Sequence, residues 1–207
     1  MKTPAPYALL LAAGAGSRFG GDKLMARWQG TAIITHVATT IAECVRADLL
    51  AGAVAVIPPA STTLAWPLDT AGFTLVENPH ARRGMSTSLQ RGLWALSRPG
   101  VEPAAAAALI VLADQPLLRR EVVAALLADW REHHQSVRPR YAASPETPGH
   151  PVLLARCDWP LAQDATGDAG VGALLATIPG RVRQVDVAGV NPDIDTPEDL
   201  FHLEDGS

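Results

Sequence analysis

Apolar runs of strand length alternate along this chain with stretches of helical spacing. The first run, Tyr7 to Leu11, opens onto a glycine-rich turn, the pattern of a strand that feeds a loop and then a helix. Ile34, Val37, Ile41 and Val45 recur three and four residues apart and therefore share one helical face. Gly52 to Ile57 predicts a second strand, stopped by Pro58 and Pro59, and Phe73 to Val76 a third that runs into Glu77, Asn78 and Pro79. Met85 to Leu96 carries helical spacing. Ala107 to Ala113 is apolar at every position, as a central strand covered on both faces must be, and Asp114, Gln115 and Pro116 end it. Val123, Leu127 and Trp130 mark the stripe of the next helix, with Arg119, Arg120, Glu121, Arg131 and Glu132 on its polar side.

The second half is less regular. Arg140 to Ala143 and Pro151 to Ala155 read as two strands joined by a loop through Pro145 to Gly149, followed by a helix around Val171 to Thr177 and a late strand over Val182 to Val187. Thr196, Pro197, Glu198 and Asp199 form a helix start, with a hydroxyl N-cap and proline in the first helical position. No repeat or linker interrupts this order. It predicts a three-layer, Rossmann-like α/β fold with a mostly parallel central sheet, residues 1–207 forming one domain, and a ligand at the carboxyl ends of the strands.

Charge and composition narrow the partners. With 17 Lys+Arg against 21 Asp+Glu, the net charge of −4 offers no chain-wide basic field for a nucleic-acid backbone or an anionic membrane, so neither is expected as a partner. Cys44 and Cys157 lack metal-ligand spacing and read as buried thiols of a reducing cytoplasm. The short apolar run after Met1 and Lys2 is interrupted by Pro4 and Pro6 and leads straight into Gly14, Gly16 and Arg18, which favours a first strand over an export leader and a cytoplasmic location. His36, His80, His133, His134 and His202 show no ligand spacing.

The chemistry concentrates at strand ends. In the loop Ala12, Ala13, Gly14, Ala15, Gly16, Ser17, small residues let backbone N–H groups approach phosphate oxygens, and Arg18 and Lys23 supply the countercharge. An ordinary tight turn with surface cations is the plain alternative. A dinucleotide loop is a second, although Phe19 stands where that motif needs a small residue. Asp114 ends the central strand, where a carboxylate is placed to bind the Mg²⁺ that accompanies a nucleoside triphosphate; helix capping is its alternative. Asp195 is the second candidate metal carboxylate, with Asp193 a possible substitute. Ser86, Thr87 and Ser88 open a helix with hydroxyls suited to a base or ribose, or simply with an N-cap at Ser86. Arg82 and Arg83, just upstream, read as solvated charges.

The loop resembles the L-A-A-G-x-S-x-R-M-G-x-x-K signature of molybdenum cofactor cytidylyltransferases and their guanylyltransferase relatives, with Gly16 at the usual Ser and Phe19 at the usual Met. Three further blocks follow in the family's order: Gly84 to Leu89, Asp114 to Pro116, and Asp193 to Asp199. The resemblance implies a nucleotidyltransferase fold, the serine block near the base, and CTP as substrate, because Ala12 and Ala13 resemble the Ala-Ala form of the motif rather than the Gly-Gly form linked to GTP. It further implies that Gly149, His150 and Pro151 match a G-x-P turn on the acceptor side. Gly167 to Gly172 resembles a G-D-x-G-A-R block that brings Asp168 to the acceptor, with Gly172 in place of the arginine.

The resulting expectation is a Mg²⁺-dependent transfer of CMP from CTP to the phosphate of a molybdopterin-type cofactor, with release of pyrophosphate. Arg18, Lys23 and Asp114 would be catalytic, and a molybdoenzyme or chaperone would be a transient partner for the product. GTP or a sugar phosphate as substrate stays open. So do an NAD(P)-dependent oxidoreductase and a non-catalytic nucleotide-binding protein.

Overall fold

The computed structural model describes residues 4–14, 19, 22–168, 175 and 180–205. Strand β1 (Ala5–Leu11) explains the layering. Its residues alternate between two sides, Ala8 and Leu10 joining one apolar cluster while Tyr7, Leu9 and Leu11 join another. A short hairpin of β2 (Arg27–Trp28) and β3 (Thr31–Ala32) follows, turned through Gln29 (φ 51°) and Gly30 (φ 77°), the two positive dihedrals that a tight hairpin turn requires. Next come α1 (Ile33–Arg46), β4 (Ala53–Ile57), α2 (Thr62–Thr70), β5 (Thr74–Glu77), α3 (Met85–Leu96), β6 (Ala105–Leu112) and α4 (Arg120–His133). The chain continues through β7 (Ser136–Tyr141), β8 (Val152–Ala155), a 3₁₀ segment over Arg156–Asp164, β9 (Val182–Val187) and α5 (Pro197–Asp205).

The sheet has seven strands in the order β5-β4-β1-β6-β8-β7-β9. All its pairings are parallel except those of β8, which runs against both β6 and β7. Helices α1, α2 and α4 bury Ile34, Val37, Leu68, Val123 and Leu127 on one face. Helix α3 and the 3₁₀ segment bury Leu89, Leu93 and Trp159 on the other. The expected three-layer, mostly parallel α/β architecture is therefore present, and β6 is the doubly covered strand that its unbroken apolar run required.

Several boundaries differ from the sequence expectation. The strand expected over Arg140 to Ala143 is β7, which begins at Ser136 and buries Val137, Pro139 and Tyr141 alternately. Its outward arginines and its proline hide the pattern, and Pro139 is tolerated because β8 pairs with β7 only at Val137↔Leu153. Helix α2 was not expected; Pro67 lies inside it, yet Leu64 and Leu68 give it a buried stripe. Cys44 is buried as expected, but Cys157 is exposed because it opens the 3₁₀ segment beyond the end of β8. Of the helix expected over 171–177, only Leu175 lies among the described residues, and it is helical and buried.

Candidate active site

The carboxyl ends of β1, β4, β5 and β6 open into one cleft, as parallel strands with helices on both faces dispose it. Its larger lobe, about 560 Å³, runs over Ala12, Ala13 and Gly14 and is walled by Lys23, Pro58, Asn78 and Asp114. A second lobe of about 310 Å³ is bounded by Gly84, Met85, Ser88 and Asp168. Both lobes share Ala13, Gly14, Arg82 and Asp114, so Asp114 stands at their junction.

Two carboxylates converge on one cation. Lys23 Nζ donates to Asp114 Oδ2 at 2.7 Å and to Asp195 Oδ1 at 3.1 Å, although 91 and 172 residues of chain separate the partners. Burial on its own would lower the Lys23 pKa, but the hydrogen bonds and charges of Asp114 and Asp195 outweigh it and raise the value. Backbone contacts hold the arrangement. Ile194 N–H donates to Asp114 O at 3.0 Å, tying the segment before α5 to the end of β6. Asp199 Oδ2 accepts the N–H groups of Asp195 and Thr196, each at 2.8 Å, and Asp199 N–H returns a 3.3 Å bond to Thr196 Oγ1. This reciprocal cap starts α5 and fixes the backbone of Asp195; the N–H groups of Thr196 and Asp195 also hold the Asp199 carboxyl below its usual range.

A third carboxylate lies behind these two. Gln115 Nε2 donates to Asp193 Oδ1 at 2.8 Å, and Asn191 Nδ2 donates to Gln115 Oε1 at 3.0 Å and to His150 O at 3.3 Å. Burial, and next the charge of Asp114, raise the Asp193 pKa. The fit of a divalent cation is decided by donor chemistry. Asp114 and Asp195 are hard oxygen donors already facing one positive charge, a pair that could hold a divalent ion whose shell phosphate and water complete. Among the described residues no cluster of three or more His, Cys, Asp or Glu could cage an ion by itself.

The remaining candidates distribute unevenly. Ala12, Ala13 and Gly14 line the floor, whereas Ala15, Gly16, Ser17 and Arg18 lie outside the described residues. Ser88 borders the second lobe, but Ser86 is buried and borders neither. The hydroxyls of Thr87 and Ser88 each accept a 2.9 Å bond from Asn78 Nδ2, and Thr87 Oγ1 also bonds His80 O and Gly84 O. Asn78, not singled out in the sequence beyond its place in a strand-end turn, thus organises the start of α3. Gly149, His150 and Pro151 lie outside both lobes' walls. A Cβ on Gly149 would meet Pro139 O at 2.5 Å, so only glycine fits there. Burial, with Arg138 adding to it and Asp114 opposing it, pushes the His150 pKa down to about 4, and its buried Nδ1 has no hydrogen-bond partner. Asp168 Oδ1 accepts the Met85 N–H at 3.3 Å. Beside it Gly84, at φ 110°, packs so closely that a Cβ would lie 2.2 Å from the carbonyl carbon of Gly167.

Residues 8–185 match the family described as the MobA-like NTP transferase domain. No curated protein matches the sequence. Among solved structures, the homologue of Mycobacterium tuberculosis Rv0371c from Mycobacterium sp. strain JC1 superposes with a TM-score of 0.80 at 24% identity, covering 97% of this chain and 96% of that one. A manganese complex of Rv0371c from M. tuberculosis H37Rv gives 0.74 at 22% identity, over 98% and 100% of the two chains. The molybdopterin-guanine dinucleotide biosynthesis protein A of Archaeoglobus fulgidus gives 0.65 at 16% identity, over 96% and 97%. At these identities the likeness establishes the nucleotidyltransferase fold.

Proposed function

This chain belongs to the MobA-like NTP transferase domain family, and we propose that it transfers CMP from CTP to the phosphate of a molybdopterin-type acceptor, releasing pyrophosphate. The observation that carries the reading is the place of Asp114: it borders both lobes and, with Asp195, faces the Lys23 ammonium. In-line transfer puts the α-phosphorus between the entering and leaving oxygens, so a two-lobed cleft needs its charge-bearing groups at the junction.

In the step proposed, an acceptor phosphate oxygen forms a bond to the α-phosphorus. The bond from that phosphorus to the α–β bridging oxygen breaks, and pyrophosphate leaves with the electron pair. A phosphate monoester loses its second proton near pH 6, so no general base is required. This agrees with His150, half-buried with its Nδ1 enclosed, being neutral rather than poised for proton transfer. A divalent ion held by Asp114 and Asp195 would supply positive charge against the phosphoryl oxygens. Lys23 restrains the two carboxylates, and the backbone at Gly14 leaves open space, with nothing within 4 Å of a Cβ position, for phosphate to approach.

Support for CTP comes from Ala12 and Ala13, whose buried positions on the cleft floor leave less depth than two glycines would. Support for a pterin acceptor comes from the four motif blocks and from the likeness to the A. fulgidus molybdopterin-guanine dinucleotide biosynthesis protein A. The test is a pyrophosphate-release screen of four nucleoside triphosphates against molybdopterin and sugar-phosphate acceptors. Release confined to CTP with molybdopterin is the expected result; preference for GTP or for a sugar phosphate would replace the substrate assignment.

A further inference from the structure

We propose that Arg82 is the residue that binds the acceptor's phosphate, an inference that rests on the nucleotidyl-transfer reading above. The argument begins with charge. With the triphosphate over the Ala12, Ala13 and Gly14 floor of the larger lobe, the acceptor's dianionic phosphate comes to Asp114 through the second lobe, which also presents Asp168. Two carboxylates repel the incoming group, and in a partly desolvated cleft the repulsion is poorly screened. Among the described residues that line this lobe, the cations are Arg82 and Arg83. Lys23 borders the larger lobe and is held by Asp114 and Asp195.

Position separates the two arginines. Arg82 borders both lobes, as Asp114 does, whereas Arg83 borders the second lobe and an outer groove over His80 and Gln90. Arg82 stands on the turn after β5 and Asp114 on the turn after β6, and those strands flank β4 and β1 in the sheet, so the two residues border the junction from opposite sides of β4 and β1. The backbone beneath Arg82 is fixed. Asn78 Oδ1 accepts His80 N–H at 2.9 Å, His80 O accepts Arg83 N–H at 2.9 Å, and Ala81 O accepts Gly84 N–H at 3.1 Å. The guanidinium above this turn is exposed and has no ion pair or side-chain hydrogen bond among the described residues. A planar fork on an anchored turn, with its donors unspent, matches two terminal oxygens of a phosphate.

The experiment compares wild type, Arg82→Ala, Arg82→Lys and a surface control, Arg98→Ala, whose side chain stacks on Trp94 away from the cleft. Binding of CTP is measured by calorimetry, and binding of inorganic phosphate to the CTP-saturated, Mg²⁺-loaded protein by ³¹P NMR titration. Loss of one charge-assisted contact predicts phosphate binding about 10- to 100-fold weaker in Arg82→Ala, partial recovery in Arg82→Lys, and CTP affinity within about twofold throughout. Where the transfer assay turns over, KM for the acceptor rises by a similar factor while KM for CTP holds. Equal phosphate affinity in wild type and Arg82→Ala overturns the assignment. So does a loss of CTP affinity with phosphate binding unchanged, which would place Arg82 on the triphosphate. Should wild type release no pyrophosphate with any acceptor, the transfer reading fails by itself, and the NMR titration still decides the phosphate contact.

Discussion

The Lys23 ammonium lies 2.7 Å from Asp114 Oδ2, at the point where the two lobes of the cleft meet. Because the same ammonium reaches Asp195, it occupies the electrostatic position that a divalent cation would share. Removing it leaves Asp114, Asp193 and Asp195 without their local positive charge. Lys23→Ala is therefore expected to gain more thermal stability from added Mg²⁺ than wild type does, while its triphosphate affinity falls about tenfold or more. Melting curves across a Mg²⁺ series check this, and identical Mg²⁺-dependent shifts in both proteins would remove Lys23 from the cation site.

Asp114→Asn is expected to abolish nearly all turnover and to keep appreciable triphosphate binding, because ground-state contacts at the loop survive while charge stabilisation at the α-phosphorus does not. Asp195→Asn should act in the same direction. The double variant should lose much less than the product of the two single losses, since both side chains serve one ion. Steady-state pyrophosphate release with Mg²⁺ titration measures all three. Wild-type turnover in Asp114→Asn would refute the site.

Base preference is expected to lie in the floor. Ala12→Gly combined with Ala13→Gly should move the CTP:GTP ratio toward GTP, by an amount limited to the about 1–3 kcal/mol that one or two methyl groups can discriminate. Competing both nucleotides in one transfer assay gives the ratio directly. An unchanged ratio would shift attention to the wall around Ser88 and Asn78.

His150 predicts a pH dependence of stability. Its folded pKa, about 4, lies below the ordinary histidine value of 6.5, so above pH 6.5 both folded and unfolded chains hold it neutral. Between pH 6.5 and 4 the unfolded chain takes up a proton that the folded chain refuses, and stability falls as the pH falls. The loss amounts to about 3 kcal/mol by pH 4 and levels off below it. Urea unfolding of wild type and His150→Phe over this range should show a shallower slope in the variant. Parallel slopes would mean that acid sensitivity arises elsewhere.

Where the apolar runs were unbroken, the fold was legible in the sequence, as at β1, β4 and β6, and helical spacing between Gly84 and Pro99 showed α3. β7 was legible only at its end, from Arg140, because Arg138, Pro139 and Arg140 give its first half no apolar run. Helix α2 was concealed by Pro67, and the β2–β3 hairpin is too short to show a period. At the site, Lys23, Asp114 and Asp195 were legible because each sits in a motif at an element end. The bonds of Asn78 to Thr87 and Ser88, and of Asn191 to Gln115, were not: asparagine before proline reads as a turn, and pairing over 76 residues leaves no local trace.

Gly84, on the second lobe's wall, backs directly onto the main chain of Gly167, which also accepts the Ser86 N–H at 3.1 Å, so this part of the wall rests main chain on main chain. Side chains can trade rotamers to widen or narrow an opening; two abutting peptide units cannot. The gauge of that opening is thus written in chain length. A point substitution on the rim can alter what it attracts, but a wider opening calls for residues to be inserted into or deleted from the 165–168 turn.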